Sequence, residues 1–198
     1  MKNLSLSVQP SAVHRFYEIL QSGFSIKCRT GINVQALLCE QLGLDPQYVN
    51  GRITTVFLDG SCVDSIERAV VKDGSTLALS SAMPGLAGAT LRRGSMYATL
   101  RSSITYEEKS DICIDAEATV RIKLFNLLID ELGPVFLQRG IMVKADQIMH
   151  FFKNRPETFL DGCSNIVFDG KNVNRDILPD GEAFANSDSI FLKIIIIT

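Results

Sequence analysis

The chain has 198 residues, a formal net charge of −2 and a sequence pI near 5.7. It therefore lacks the basic field that non-specific nucleic-acid binding requires, and no nucleic-acid partner is expected. A hydrophobic share of 46% is enough to fill folded cores. The start shows no apolar run of signal-peptide length and no segment approaches a membrane span, so the expectation is a globular, cytoplasmic protein with no membrane partner.

In chain order, Leu4-Ser5-Leu6-Ser7-Val8 alternates with period two and predicts a strand. Pro10 and Ser11, with Ser11 as N-cap, open a helix that places Val13, Phe16, Tyr17 and Leu20 on one face and ends at Gly23. Residues 24–29 predict a second strand. Asn33 then caps a helix carrying Val34, Leu37, Leu38 and Leu42, stopped by Gly43. A strand follows from Ile53 to the Asp59-Gly60 turn, then a short extended piece at Val63. Asp73-Gly74 makes a second tight turn into the alternating strand Leu77-Ala78-Leu79-Ser80, with Leu77 and Leu79 facing the core and Ala78 and Ser80 facing out. This strand runs on into Met83-Pro84-Gly85-Leu86-Ala87-Gly88.

The chain also matches itself. Gly31-Ile32-Asn33-Val34 recurs as Gly140-Ile141-Met142-Val143, and Phe16 as Phe125. Further on, Val56-Phe57-Leu58-Asp59-Gly60 recurs as Ile166-Val167-Phe168-Asp169-Gly170, Val63-Asp64 as Val173-Asn174, and Leu77-Ala78-Leu79-Ser80 as Ile190-Phe191-Leu192-Lys193. A second copy of the same fold is therefore expected from Asp111-Ile112-Cys113-Ile114 onward. Its first helix would hold Val120, Leu124, Leu127 and Leu128 and break at Gly133-Pro134; its second would hold Ala145, Ile148, Met149 and Phe152. Between the copies, Leu91 and Leu100 flank an Arg93-Gly94-Ser95 turn, and Ala98, Leu100, Ile104 and Tyr106 share one parity, which predicts a β-hairpin connector.

Chemistry-bearing motifs are sparse. Arg92, Arg93 and Arg101 form a candidate anion site on the connector, although arginines near a turn are more often a solvated face, and no Gly-rich phosphate loop accompanies them. His14 and His150 lie beside apolar residues on predicted helices, without the converging partners that a nucleophile and base require. The acidic pairs Glu107-Glu108 and Asp130-Glu131 fit solvated helix ends better than acid–base pairs. No His/Asp/Glu metal spacing occurs, so neither a metal nor a cofactor is expected. Cysteines 28, 39, 62, 113 and 163 are widely spaced with no CxxC pair, which fits reduced, mostly core thiols rather than a disulfide framework or a zinc knuckle.

The order strand, helix, strand, helix, then strands around Asp-Gly turns resembles the β-grasp (ubiquitin-like) superfamily in its ThiS/MoaD sulfur-carrier form, which carries an additional helix between its first two strands. The resemblance implies an α+β architecture of two tandem divergent β-grasp domains, each a mixed sheet with helices on one face: residues 1–88, a hairpin connector 89–109, and residues 110–198. In such carriers the terminal glycine of a thin tail is adenylated by an E1-like enzyme and converted to a thiocarboxylate, chemistry that needs a free glycine carboxylate. Pro84, Gly85 and Gly88 occupy the tail-like region here, but neither glycine is terminal, and the second copy ends Lys193-Ile194-Ile195-Ile196-Ile197-Thr198. The expected function is thus a non-catalytic, protein-binding or self-associating tandem ubiquitin-like protein. The alternative is a sulfur-carrier or modifier precursor cut after Gly85 or Gly88, with an E1-like adenylating enzyme as partner.

The last strand adds a candidate interface. Ile190, Leu192, Ile194 and Ile196 would face the core, while the other parity carries Phe191, Ile195 and Ile197, with Lys193 alone to hold it in water. A strand apolar on both faces is normally covered on both, so this outer face is expected to be buried against the connector, the first domain or a second chain.

Overall fold

The computed structural model describes residues 1–29, 31–107, 116–153, 155–185 and 187–197. The chain runs β1 (Lys2–Val8), a 3-10 helix (Pro10–Phe16), α1 (Tyr17–Ser22), β2 (Phe24–Arg29), α2 (Val34–Ala36) continued by a π-helical turn (Leu37–Gln41), and α3 (Pro46–Arg52). Then come β3 (Thr55–Leu58), β4 (Ser61–Cys62), β5 (Thr76–Ser80), α4 (Gly85–Leu91), a 3-10 helix (Ala98–Ile104), β6 (Glu117–Phe125) and α5 (Leu127–Arg139). The remainder is β7 (Ile141–Lys144), α6 (Ala145–Lys153), a 3-10 helix (Glu157–Leu160), β8 (Cys163–Phe168), β9 (Lys171–Asn172), α7 (Ile177–Asp180), a 3-10 helix (Glu182–Phe184) and β10 (Ser189–Ile196). The architecture is α+β with mixed pairing: β5 is parallel to β6 and antiparallel to β3, and β1 is parallel to β10 and antiparallel to β8.

Local chemistry sets the helix starts. Asn33 Oδ1 accepts the Ala36 N–H at 2.7 Å, the expected cap, and Gly43 ends the helix with φ +71°. The expected Ser11 cap is not used. Gln9 precedes the first helix, and Pro10, with its fixed φ and missing N–H, takes the first helical position. Asp45 caps α3 through the Tyr48 N–H at 3.0 Å, with Pro46 at the first position, a helix the hydrophobic spacing does not announce.

Two compact units make up the chain: a contiguous one, Ser25–Leu128, and a discontinuous one, Met1–Phe24 with Ile129–Thr198. These cuts fall elsewhere than at 88/89 and 109/110, because strands pair outside their sequence halves. In the contiguous unit the strand order is β4-β3-β5-β6-β2. Leu77 and Leu79 of β5 sit beside Ile122 and Leu124 of β6, and all four are fully buried, contributing about 1.5–3 kcal/mol each. Residues 117–125 are thus strand and not the expected helix. Val120, Ile122 and Leu124 alternate with Arg121 and Lys123, and that period of two, given β5 as a partner, prevails over the helical spacing of Val120, Leu124 and Leu127. Asp111 to Ile114, the expected start of the second copy, lies outside the described residues, as does Cys113. Ser80 is buried rather than outward, accepting from Asn126 Nδ2 at 2.7 Å and donating to the Ser81 carbonyl at 3.1 Å.

No hairpin joins the halves within the described residues. Residues 85–91 and 98–104 are helical, and Gly94 supplies the turn between them with φ +62°. The shared parity of Ala98, Leu100 and Ile104 does not make a strand here. Arg93 and Arg101 instead turn the chain onto acceptors of the unit's interior, described below.

In the discontinuous unit the order is β7-β10-β1-β8-β9. Leu4, Leu6 and Val8 of β1 and Ile190, Leu192 and Ile194 of β10 are all fully buried. Phe16 packs against Phe151 and Phe159, with ring centroids 6.0 and 5.8 Å away. Arg15 Nη1 reaches the carbonyls of Thr158, Phe159 and Asp161, and Arg155 pairs with Glu18. Gly133 and Pro134, expected to break a helix, lie inside α5. Gly133 packs closely on α1: a Cβ there would come within 2.9 Å of Leu20 Cδ1 and 3.1 Å of Tyr17 Cε1.

Several internal geometries recur between the halves. Asp59 and Gly60 have φ 50° and 84°, Asp169 and Gly170 have φ 47° and 78°, and each turn joins a two-strand hairpin. Val63 N–H donates to Val56 O at 2.8 Å, and Val173 N–H to Ile166 O at 3.0 Å. Three expected matches do not hold. The strand from Leu77 to Ser80 pairs with β3 and β6, whereas the strand holding Ile190 to Lys193 pairs with β1 and β7 and not with β8, so those two are not equivalent. Gly31 follows β2 whereas Gly140 precedes β7; the residue placed like Gly140 is Gly23. Both Gly23 and Gly140 end a helix by donating to the carbonyl four residues back and turn into a strand at φ 106° and 93°. Phe16 lies in a helix and Phe125 ends β6, so that pair is not equivalent either.

Candidate functional surface

The segment after β5 carries five of the ten large apolar side chains that are exposed among the described residues. Leu86 is 66% exposed, Met96 83%, Tyr97 44%, Leu100 68% and Ile104 42%. From Gly74 to Tyr106 the sequence contains no Asp or Glu, the one sequence signal that sets this stretch apart. Leu86, Leu100 and Ile104 ride on short helices and Met96 and Tyr97 on the turn between them; Thr90 Oγ1 lies within bonding distance of the Leu86 and Ala87 carbonyls.

Beneath the apolar residues lies a polar clamp. The Arg101 side chain is 3% exposed and donates to Thr90 O at 2.6 Å, to Thr105 Oγ1 at 3.1 Å and to Asp64. Asp64 Oδ1 also accepts the Gly94 N–H at 3.0 Å. Arg93 donates to Ile53 O at 3.0 Å and to Val49 O at 3.2 Å, and its burial lowers its pKa, partly offset by Glu67. Cys62 donates to Leu91 O at 3.3 Å, with burial pushing its thiol pKa up, and Tyr106 N–H bonds Cys62 O at 2.8 Å.

Of the candidate anion site, then, Arg93 and Arg101 spend their donors on protein acceptors, with Asp64 as the anion at Arg101; Arg92 is exposed. The tail-like residues are not extended. Pro84 precedes α4, Gly85 opens it at φ +75°, and Gly88 is buried where a Cβ would meet the Met83 carbonyl oxygen at 2.0 Å. In the single chain, Phe191 of β10 and Ile197 just past its end are half-buried, and Ile195 is 45% exposed. His14 and His150 are both exposed.

A pocket of about 510 Å³ in the discontinuous unit is lined by Phe152, Arg155, Phe159, Leu160, Arg175 and Asp180, among others. Arg155 there lies over the Phe151 and Phe159 rings, 4.5 and 5.1 Å from their centroids, and is bonded to Phe151 O at 3.0 Å. Among the described residues no group of three His, Cys, Asp or Glu is placed to hold a metal ion, and no helix is long and apolar enough to cross a membrane. No family model, curated protein or solved structure matches the chain.

Proposed function

We propose that this chain is a non-catalytic tandem ubiquitin-like protein that works by binding a protein partner or by associating with itself. The observation that carries this reading is the exposed apolar surface of Leu86, Met96, Tyr97, Leu100 and Ile104, held on a segment fixed by Arg93 and Arg101. Five large apolar side chains grouped on one ordered segment are a poor arrangement for water and a good one for a protein contact. Ile195 on the outer face of β10 and Ile197 just past its end offer a second contact point. The β-grasp reading is supported by the recurring Asp-Gly turns, the Gly23 and Gly140 helix stops, and the mixed pairing around β5 and β1.

The test is light scattering over a concentration series, together with chemical cross-linking in native extract. It compares the natural chain with a Met96→Asp/Leu100→Asp variant and with Ile195→Lys. The reading expects an oligomer or a cross-linked partner that at least one variant loses while keeping its melting temperature. A natural chain that stays monomeric and gives the same cross-links as both variants overturns it.

A further inference from the structure

We infer that the β8 edge with its Asp169 turn is a strand-acceptor site, and that at high concentration it takes β1 from a second copy of this chain, giving a dimer with exchanged residues 1–24. The two Asp-Gly turns do the same work on a neighbouring strand. Asp59 N–H donates to Thr76 O at 2.9 Å and Thr76 N–H donates to Asp59 Oδ1 at 2.6 Å. Asp169 N–H donates to Asn3 O at 2.9 Å and Asn3 N–H donates to Asp169 Oδ1 at 2.8 Å. Both bonds in each clamp go to main chain, so the turn grips an extended segment without regard to its side chains.

What differs is where the gripped strand comes from. In the contiguous unit it is β5, the next strand after the turn's own hairpin. In the discontinuous unit it is not the following strand, β10, but β1, delivered from the far side of residues 25–128. Capture by the Asp169 turn is therefore already independent of a short covalent link.

The segment that arrives is complete in itself. Leu4, Leu6 and Val8 fill the core, Phe16 enters the aromatic cluster, and Arg15 and Glu18 make the contacts given above. Lys2 Nζ also bonds Ala183 O at 2.9 Å, and Gln9 N–H bonds Gly162 O at 2.9 Å. Every one of these contacts joins residues 1–24 to residues 129–198. A second copy can reproduce them once Gly23, the single residue between α1 and β2, opens as the hinge, so cis and trans capture differ in effective concentration and in the conformation of that hinge.

The experiment mixes ¹³C-labelled and unlabelled chains in denaturant and refolds them together at a low and at a tenfold higher protein concentration. The expected dimer-to-monomer ratio rises about tenfold between the two, following mass action. In the isolated dimer, isotope-filtered spectra should show contacts between chains from Leu6 methyls to Ile166 and Ile194 methyls, residues that are register partners. Refolding that gives monomer alone at both concentrations overturns the inference. So does a dimer whose Leu6 contacts are all within one chain, which would point to association through a surface instead.

Discussion

Gly140 lies so close to Phe191 that a Cβ on Gly140 would come within 2.2 Å of the ring's Cζ, and its φ of +93° is one that side chains other than glycine's rarely adopt. Gly140→Ala should cost about 2 kcal/mol or more, from backbone strain together with the displaced ring. Because the ring is half-buried and can move, part of that cost belongs to Phe191. In a Phe191→Ala background the same substitution should cost less, by ~0.5–1 kcal/mol, in a denaturant-melt cycle. Equal costs in both backgrounds would assign the whole effect to φ.

Asp64 and Arg101 are unequally buried, with side chains 37% and 3% exposed. Removing the carboxylate with Asp64→Ala leaves the buried guanidinium without a counter-charge, though still donating to Thr90 O and Thr105 Oγ1, at a cost of about 3 kcal/mol. Removing the cation with Arg101→Met leaves a carboxylate that water can reach and should cost less, about 1–2 kcal/mol. Chemical denaturation of the two variants checks the order; an Arg101→Met variant less stable than Asp64→Ala refutes it.

Glu67 titrates below its ordinary value, first because the Ser65 hydroxyl donates to Oε2 at 2.8 Å. A carboxyl depressed in the folded state supports folding above its unfolded pKa, and that support is lost as pH falls through the folded value. Ser65→Ala should therefore move the Glu67 carboxyl up toward its ordinary range in an NMR titration. An unmoved titration would show that the hydroxyl is not the main cause.

Residues 25–128 should fold alone. Expressed as a fragment, they retain β6 beside β5 and should give a dispersed amide spectrum. A 1–88 fragment lacks β6, leaves Leu77 and Leu79 without their neighbours Ile122 and Leu124, and should be poorly dispersed. A well-dispersed 1–88 fragment with an unfolded 25–128 fragment would reverse the assignment of the contiguous unit.

Much of the local structure was legible in the sequence. The Asp59-Gly60 turn, the Asn33 cap and the inward parity of Leu77, Leu79, Ile190, Leu192 and Ile194 all rest on short-range chemistry that residue types declare. The errors arose where a distant partner decides. Residues 117–125 fit two periodicities until β5 is known to lie alongside, and Gly140 matched Gly31 by its neighbours' letters although it does the work of Gly23. The exposed side chains from Leu86 to Ile104 could not be told from a hairpin's core face, since no pattern in the sequence reveals that Arg93 and Arg101 bond inward.

The place of β1 has a consequence during synthesis. Its two neighbours, β8 and β10, are translated only after residues 25–128, and Lys2 must wait for Ile190. At ~5–20 residues per second the interval is on the order of 10–40 s, during which Leu4, Leu6 and Val8 have no native shelter while residues 25–128 can already fold. The nascent chain thus carries an uncovered apolar strand until Ile190 has been made, and closing the β1–β10 pair is the slow, long-range step of its folding.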